Sequence, residues 1–122
     1  MAGFQTNKAW QKLDDLVVAV YKITRRFPAE ERYGLTSQLR RAAVSASANV
    51  AEGSARGTAR EYLRFLHIAR GSLAEVEYYL HLSVRLGYIE KDQELLLLRE
   101  EAGRTLQGLI AYWEKKAHRC GK

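Results

Sequence analysis

The sequence predicts an all-α protein, an antiparallel up-down four-helix bundle. Apolar residues recur at three- and four-residue spacing in four stretches, which is the helical period. No stretch alternates as a strand would, the connections are short, and the 122 residues contain one proline. Short connections place consecutive helices side by side and antiparallel. A single domain, residues 1–122, is therefore expected, with helices at about 7–27, 36–53, 58–86 and 92–118.

The first helix is expected to begin after Asn7, a favoured N-cap residue, and to end at Pro28. Thr36 is the expected cap of the second helix, and Gly53 is its expected end. Small side chains occupy most of the second helix, so a neighbouring backbone can approach it closely. They fit one tight crossing within the chain, or packing on two sides with a partner subunit on one of them. The candidate subunit-interface residues are Ala42, Ser45, Asn49, Glu52, Tyr78 and Tyr79.

The third helix begins at a capping box, Thr58 to Glu61, and stops at Gly87. Gly71 inside it costs about 1 kcal/mol relative to alanine, so either a close neighbour or a bend is expected there. Asp92 can cap the fourth helix. The four consecutive leucines that follow, 95–98, exceed what one apolar seam needs, and they indicate a second buried surface.

The chain is basic, with a formal charge of +6 and a pI near 9.6. Ten Lys or Arg face four Glu between Lys22 and Arg70, which predicts that the excess charge lies on one corner of the molecule. The guanidinium group of arginine donates two parallel hydrogen bonds to a phosphate, so these side chains are typical of a surface that binds a nucleic-acid backbone. The candidate nucleic-acid-binding residues are Arg25, Arg26, Arg40, Arg41, Arg56, Arg60, Arg64 and Arg70. The alternative is a solvated face with internal ion pairs, Arg64 with Glu61 or Glu52, and Arg41 with a buried Glu75.

The residue patterns do not predict an enzyme. His81 and His118 each follow a glutamate by four residues, which differs from the Glu-x-x-His spacing of di-metal bundles. Ser54 lies in a glycine corner that lacks the Gly-Lys-Ser/Thr ending of a phosphate loop. No metal or cofactor is expected. Cys120 is the single cysteine and cannot form an intrachain disulfide. The N-terminus has no signal-peptide pattern and no stretch would span a membrane, so a cytoplasmic protein with no membrane partner is expected.

Two segments, DLVVAVYKITRRFPAEERYGLTSQLRRAAVSASANVAEGSARG and FLHIARGSLAEVEYYLHLSVRLGYI, resemble the four-helix-bundle proteins encoded in 23S rRNA intervening sequences. The accessory protein of diversity-generating retroelements is similar in fold. The resemblance covers roughly residues 10–112, and YGLTSQLRRAAVS, NVAEG and IARGSLAEVE carry it. It implies an up-down bundle that assembles as a ring-like homopentamer. In the retroelement branch it also implies a basic surface that binds nucleic acid and a reverse transcriptase. The intervening-sequence branch brings no established activity.

Together these observations predict a non-catalytic, oligomeric module that binds the phosphate backbone of RNA or DNA. The competing hypothesis is a protein–protein scaffold without nucleic-acid binding. Expected partners are further copies of the chain, RNA or DNA, and a protein encoded nearby.

Overall fold

Four α-helices and two short 3₁₀ turns build the structure, a computed structural model that describes residues 3–119. Within that range there is no β-strand, and Cys120 lies outside it. The helices are α1 (Lys8–Thr24), α2 (Leu35–Ser54), α3 (Ala59–Arg85) and α4 (Gln93–Arg119). The 3₁₀ turns, Gly3–Thr6 and Ala29–Glu31, were not predicted.

The helices run alternately up and down, and each packs against its two neighbours in the order α1, α2, α3, α4. At one end, the Nε of Arg40 early in α2 donates to the Oγ1 of Thr24, the last residue of α1, over 2.8 Å. We call this the Thr24 end. At the other, the Asn7 end, the Asn7 amide donates to the Tyr62 hydroxyl at the start of α3 over 2.9 Å. The predicted antiparallel four-helix bundle is confirmed.

The core runs along the bundle axis and consists of aliphatic side chains from all four helices. Burying one such side chain stabilises the fold by about 1.5–3 kcal/mol. The fully buried ones include Leu13, Leu16, Val20, Leu39, Val50, Leu66, Val76, Leu106 and Ile110. They fall on the apolar positions that give each helix its three- and four-residue spacing. The apolar positions predicted from the sequence therefore form the core of the bundle.

Helix α2 crosses α3 closely, because the side of α2 that faces α3 carries small residues. Gly53 is buried, and a Cβ placed on it would lie 2.8 Å from the Cβ of Phe65 and 2.8 Å from the Cδ1 of Tyr62. Further along the crossing, the hydroxyls of Ser45 and Ser72 hydrogen-bond across the two helices over 2.8 Å. The tight intrachain crossing, one of the two interpretations of the small residues, is therefore present.

Three of the four predicted helix caps are confirmed. The side-chain oxygen of Asn7 accepts from the Trp10 N–H over 3.0 Å. Thr58 Oγ1 accepts from the N–H of Glu61 over 3.1 Å, and Asp92 Oδ1 accepts from Leu95 over 3.2 Å. Each bond satisfies a backbone donor that the first turn of a helix leaves free.

The cap predicted for α2 is wrong. Thr36 is buried inside the helix, which begins at Leu35 after Gly34. Glu31 performs the capping instead, because its Oε1 accepts from the Leu35 N–H over 2.9 Å. Its other carboxylate oxygen accepts from the Tyr88 hydroxyl over 2.7 Å, so one side chain joins the two loops at the Thr24 end.

The first helix ends three residues earlier than predicted, at Thr24. Residues 25–27 form a tighter turn of i to i+3 hydrogen bonds, closed by Phe27 N–H to Thr24 C=O over 3.1 Å. Pro28 disfavours a helical conformation at the residue before it, so the tightening begins ahead of the proline. The predicted stop of α3 is confirmed, since Gly87 has φ +78° and the Tyr88 N–H bonds to Ser83 C=O.

Replacing Gly53 with alanine tests the close crossing of α2 and α3. The added methyl group overlaps Phe65 and Tyr62, and such overpacking costs about 1–3 kcal/mol. This equals or exceeds the roughly 1 kcal/mol that alanine gains in helix propensity. We therefore expect Gly53→Ala to lower the free energy of unfolding in urea. Gly108→Ala is the control, because nothing lies within 4 Å of that position and the propensity gain should appear alone. Equal stabilisation of both variants would contradict the close crossing.

The bridge at Glu31 predicts acid-sensitive stability. The Leu35 N–H, and after it the Tyr88 hydroxyl, lower the pKa of Glu31 against a smaller opposing effect of burial. A lowered folded-state pKa stabilises the fold above the ordinary glutamate value of about 4.3, and the stabilisation is lost as the pH falls through the lowered value. We expect urea unfolding between about pH 6 and about pH 3 to show a shallower acid loss in Glu31→Gln than in the wild type. Glu30→Gln should keep the wild-type slope, and identical slopes in all three proteins would refute the assignment.

Candidate nucleic-acid interface

Three of the predicted phosphate-binding arginines lie together at the corner between α2 and α3, at the Asn7 end. The side chain of Phe65 is buried and fixes two of them. The guanidinium carbons of Arg56 and Arg64 each lie 4.7 Å from the centre of its ring. Cation–π contacts at exposed sites contribute about 0.5–1 kcal/mol each. The ring therefore restrains two cations that would otherwise move freely in water.

The same two arginines also form ion pairs with glutamates on their own helices. Arg56 Nη2 lies 2.7 Å from Glu52 Oε2, and Arg64 Nη2 lies 3.4 Å from Glu61 Oε1. The ion-pair alternative stated from the sequence is thus observed for Arg64 and Glu61. All four side chains are exposed by more than two fifths, and pairs of this kind contribute about 0–1 kcal/mol. A guanidinium has five N–H donors, so donors remain for a phosphate oxygen.

Arg60 lies on the first turn of α3, between the two fixed arginines in sequence. It is exposed, and among residues 3–119 it takes part in no ion pair. The amide groups of the same helix N-terminus favour an anion nearby. Arg60 is therefore the arginine of this corner whose donors are least engaged.

A second group of cations, which was not among the predicted binding residues, lies at the Asn7 end on the last turns of α4. Lys115, Lys116 and Arg119 are near the start of α3 because the bundle is antiparallel. The rings of Tyr62 and Trp113, with centres 5.1 Å apart, show how close the two helices come there. Separation of about fifty residues hid this neighbourhood in the sequence, although the basic end of a predicted α4 was visible.

The remaining candidate arginines lie elsewhere. Arg40 stacks on the Tyr21 ring at 4.6 Å, and Arg41 lines a groove between α2 and α3; both belong to the Thr24 end. Arg25 and Arg26 are exposed just after α1, at the same end. Arg70 turns toward α4, where its Nη1 donates to Gln107 Oε1 over 3.2 Å.

The expectation of one basic corner is therefore wrong. Fourteen residues of α2 separate position 40 from position 54, which is roughly 20 Å of helix. The Asn7 end (7–10, 52–64 and 112–119) carries seven Lys or Arg against three Glu. The Thr24 end (22–41 and 85–94) carries eight Lys or Arg against five acidic residues. The excess positive charge lies at two opposite ends because the sequence segment that carries it traverses the bundle.

The expected pairing of Arg41 with a buried Glu75 is not found. Glu75 is exposed, and no ion pair joins these two side chains in the described part of the chain, although both line one groove. Arg99 is the arginine that meets a carboxylate across helices α3 and α4, at 3.8 Å from Glu77.

Four of the six candidate subunit-interface residues are engaged within the chain. Ala42 is buried, Ser45 bonds to Ser72, and the Asn49 amide donates to the Ser45 carbonyl over 2.8 Å. Glu52 holds Arg56 at the surface. The other two are neighbouring tyrosines on α3, of which Tyr79 is half-buried and Tyr78 is 57% exposed.

Several large apolar side chains remain exposed in the single chain. Of the four leucines at the start of α4, Leu95 is buried, whereas Leu97 is 62% exposed. On α3, Ile68 and Tyr78 are exposed, and nothing lies within 4 Å of a Cβ placed on Gly71 between them. Neither a close neighbour within the chain nor a positive φ accounts for this glycine.

A search of residues 3–119 for metal-binding groups finds no set of three or more His, Cys, Asp or Glu side chains that could hold an ion. In the same range, no helix is both long enough and apolar enough to cross a membrane.

Fold and charge together define a small antiparallel four-helix-bundle protein with two basic ends. The family model described as 23S rRNA-intervening sequence protein matches residues 5–108, and the chain belongs to that family. The predicted resemblance is thereby confirmed. A crystal structure of a protein of unknown function from the S23 ribosomal protein family, from Bacteroides thetaiotaomicron, has the same fold. It superposes with a TM-score of 0.69 at 21% identity, over 84% of this chain and 97% of that one. No curated protein matches the chain.

Proposed function

We propose that the protein is a cytoplasmic, non-catalytic accessory module that binds the phosphate backbone of RNA or DNA as a homo-oligomer. The observation that carries this proposal is the corner of Arg56, Arg60 and Arg64 at the Asn7 end. The buried ring of Phe65 restrains two of these arginines, so they lose less side-chain entropy when they bind a phosphate. The basic residues at the end of α4 extend the same surface.

The predicted contacts are to phosphates and carry no sequence readout by themselves. Arg56, Arg60 and Arg64 recur every four residues around a helix corner, a spacing that suits a phosphate chain. Such binding weakens steeply with salt, because each neutralised phosphate releases counterions. Repetition in an oligomer strengthens it: five copies of a +6 chain would carry +30. The homopentamer implied by the family resemblance is part of this proposal.

The alternative, a protein–protein scaffold, is favoured by a different observation. Leu97 and Tyr78 are more than half exposed, and Ile68 is 42% exposed, on surfaces that no other part of the described chain covers. Apolar surface of this kind often marks contacts with another protein. A scaffold that binds a protein encoded nearby would use these residues and leave the basic ends as solubilising charge.

A salt series on the assembled protein distinguishes the two functions. With duplex DNA, we expect log K to fall linearly with log salt, and Arg60→Gln to reduce the slope by about 0.9 for each duplex phosphate that this side chain contacts. Arg104→Gln is the matched control, because it removes the same charge from the exposed middle of α4. It should leave the slope unchanged. No wild-type binding at low salt, or equal effects of both substitutions, would refute the Arg60 surface and favour the scaffold.

Assembly is tested at Gly71. If a partner subunit packs on the stripe of Ile68, Gly71 and Tyr78, a bulky side chain at the glycine blocks its approach. We expect Gly71→Leu to shift the mass measured by light scattering from oligomer to monomer, with helical circular dichroism retained. Gly108→Leu matches it, since among residues 3–119 no neighbouring group lies within 4 Å of a Cβ placed at either glycine. An unchanged mass in both variants would exclude this stripe as the interface.

A further inference from the structure

A polar groove lies between α2 and α3 at the Thr24 end, and its lining residues differ in chemistry from the arginines of the phosphate-binding corner. Its volume is about 520 Å³, within the usual range for ligand-binding pockets. The lining residues are Tyr33, Ser37, Gln38, Arg41, Ala42, Ser45, Glu75 and Tyr79. We call it the Tyr33 groove. It combines two aromatic rings with a cation, a carboxylate, an amide and hydroxyls.

Tyr33 gives the groove an uncovered aromatic surface. Its side chain is 89% exposed, the highest exposure among the large apolar residues, and it follows the 3₁₀ turn Ala29–Glu31 directly after Arg32. Among residues 3–119 it takes part in no aromatic pair and no side-chain hydrogen bond. The loop that carries it is anchored at Glu31, which holds both the start of α2 and Tyr88. The backbone next to Tyr33 is therefore anchored, and its ring is left bare.

Arg41 gives the groove a cation with free donors. It lies on α2, it is exposed, and it forms no ion pair in the described range, in contrast to Arg56 and Arg64. Glu75, on the opposite wall, accepts hydrogen bonds through its carboxylate. A ligand that fits both must present an anion to Arg41 and N–H donors to Glu75, and a flat π surface would complement the ring of Tyr33.

An unpaired nucleotide has these three features. Its base stacks on aromatic side chains, its amino groups donate to carboxylates, and its phosphate accepts paired hydrogen bonds from an arginine guanidinium group. A paired base is covered by its neighbours in the stack and has its Watson–Crick edge occupied. A duplex therefore offers no free base face to Tyr33 and no free Watson–Crick edge to Glu75. We propose that the Tyr33 groove binds one unpaired nucleotide of a single strand. The proposal deepens and rests on the proposed nucleic-acid function.

The two sites are compatible with one continuous strand. The groove and the arginine corner both lie along the α2–α3 side, roughly 20 Å apart along the helix axis. The corner contacts phosphates of either a duplex or a single strand, whereas the groove adds affinity for the single strand alone. Exposed Ser37 and Gln38 atoms can meet a ribose hydroxyl, and single-stranded RNA and DNA of one sequence show whether they do.

The experiment compares a duplex with a single strand that carries 2-aminopurine, a fluorescent base that stacking quenches. In wild-type protein we expect quenching on binding. Tyr33→Ala should abolish the quenching and weaken single-strand binding roughly 5- to 150-fold, the range that stacking of one base supplies. Duplex binding should stay within about twofold, since the corner is untouched. Tyr33→Phe keeps the ring and should behave as wild type.

Arg41→Gln gives an independent measurement. It should reduce the salt slope for the single strand by about 0.7 and leave the duplex slope unchanged. Unchanged quenching and affinity in Tyr33→Ala would overturn the proposal. Equal loss for duplex and single strand, together with a lower oligomer mass, would also overturn it by showing that the groove is a subunit contact. Single-strand binding that depends on Tyr33 without any duplex binding would support the groove while refuting the phosphate-binding corner.

Discussion

The close crossing of α2 on α3 is the constraint on which the rest of the structure depends. Gly53 has no side chain, and this allows the ring of Tyr62 and the Cβ of Phe65 to lie against the α2 backbone. Tyr62 then reaches Asn7 at the start of α1 and Trp113 near the end of α4. Phe65 presents its ring to Arg56 and Arg64. One glycine thus connects the packing of all four helices at the Asn7 end to the positions of the surface arginines.

The opposite end is organised by polar contacts. Glu31 caps α2 and accepts from Tyr88, and Thr24 accepts from Arg40. The hydrogen bond from Tyr88 helps to lower the pKa of Glu31, and the same bond, followed by burial and the nearby negative charges, raises the pKa of Tyr88. The bonds of Glu31 anchor the loop that carries Tyr33. The two ends therefore differ in chemistry, with arginines fixed on a ring at one and an open aromatic groove at the other.

For the proposed function, the antiparallel arrangement matters more than total charge. A basic chain of this composition could have carried a single patch, yet the traverse of α2 separates its arginines into two groups. In the proposed function, the two separated groups would contact distant phosphates of one strand, and an oligomer would repeat them. The middle of the bundle carries exposed Ile68, Gly71 and Tyr78, the stripe proposed above as a subunit contact.

Local patterns in the sequence determined the four helices, three of their caps and the core positions. These features depend on residues within a few positions of one another, where spacing and cap chemistry act directly. The family resemblance followed from the same local motifs.

Tertiary structure decided what depends on residues distant in the chain. Glu31 caps α2 in place of Thr36, and its carboxylate also accepts from Tyr88, which is distant in the chain. In the described part of the chain, Arg41 forms no ion pair with Glu75. The basic residues of α4 lie at the same end as Arg60, and Arg40 lies at the far end, because helices of about 25–40 Å run antiparallel. Sequence separation records none of these distances.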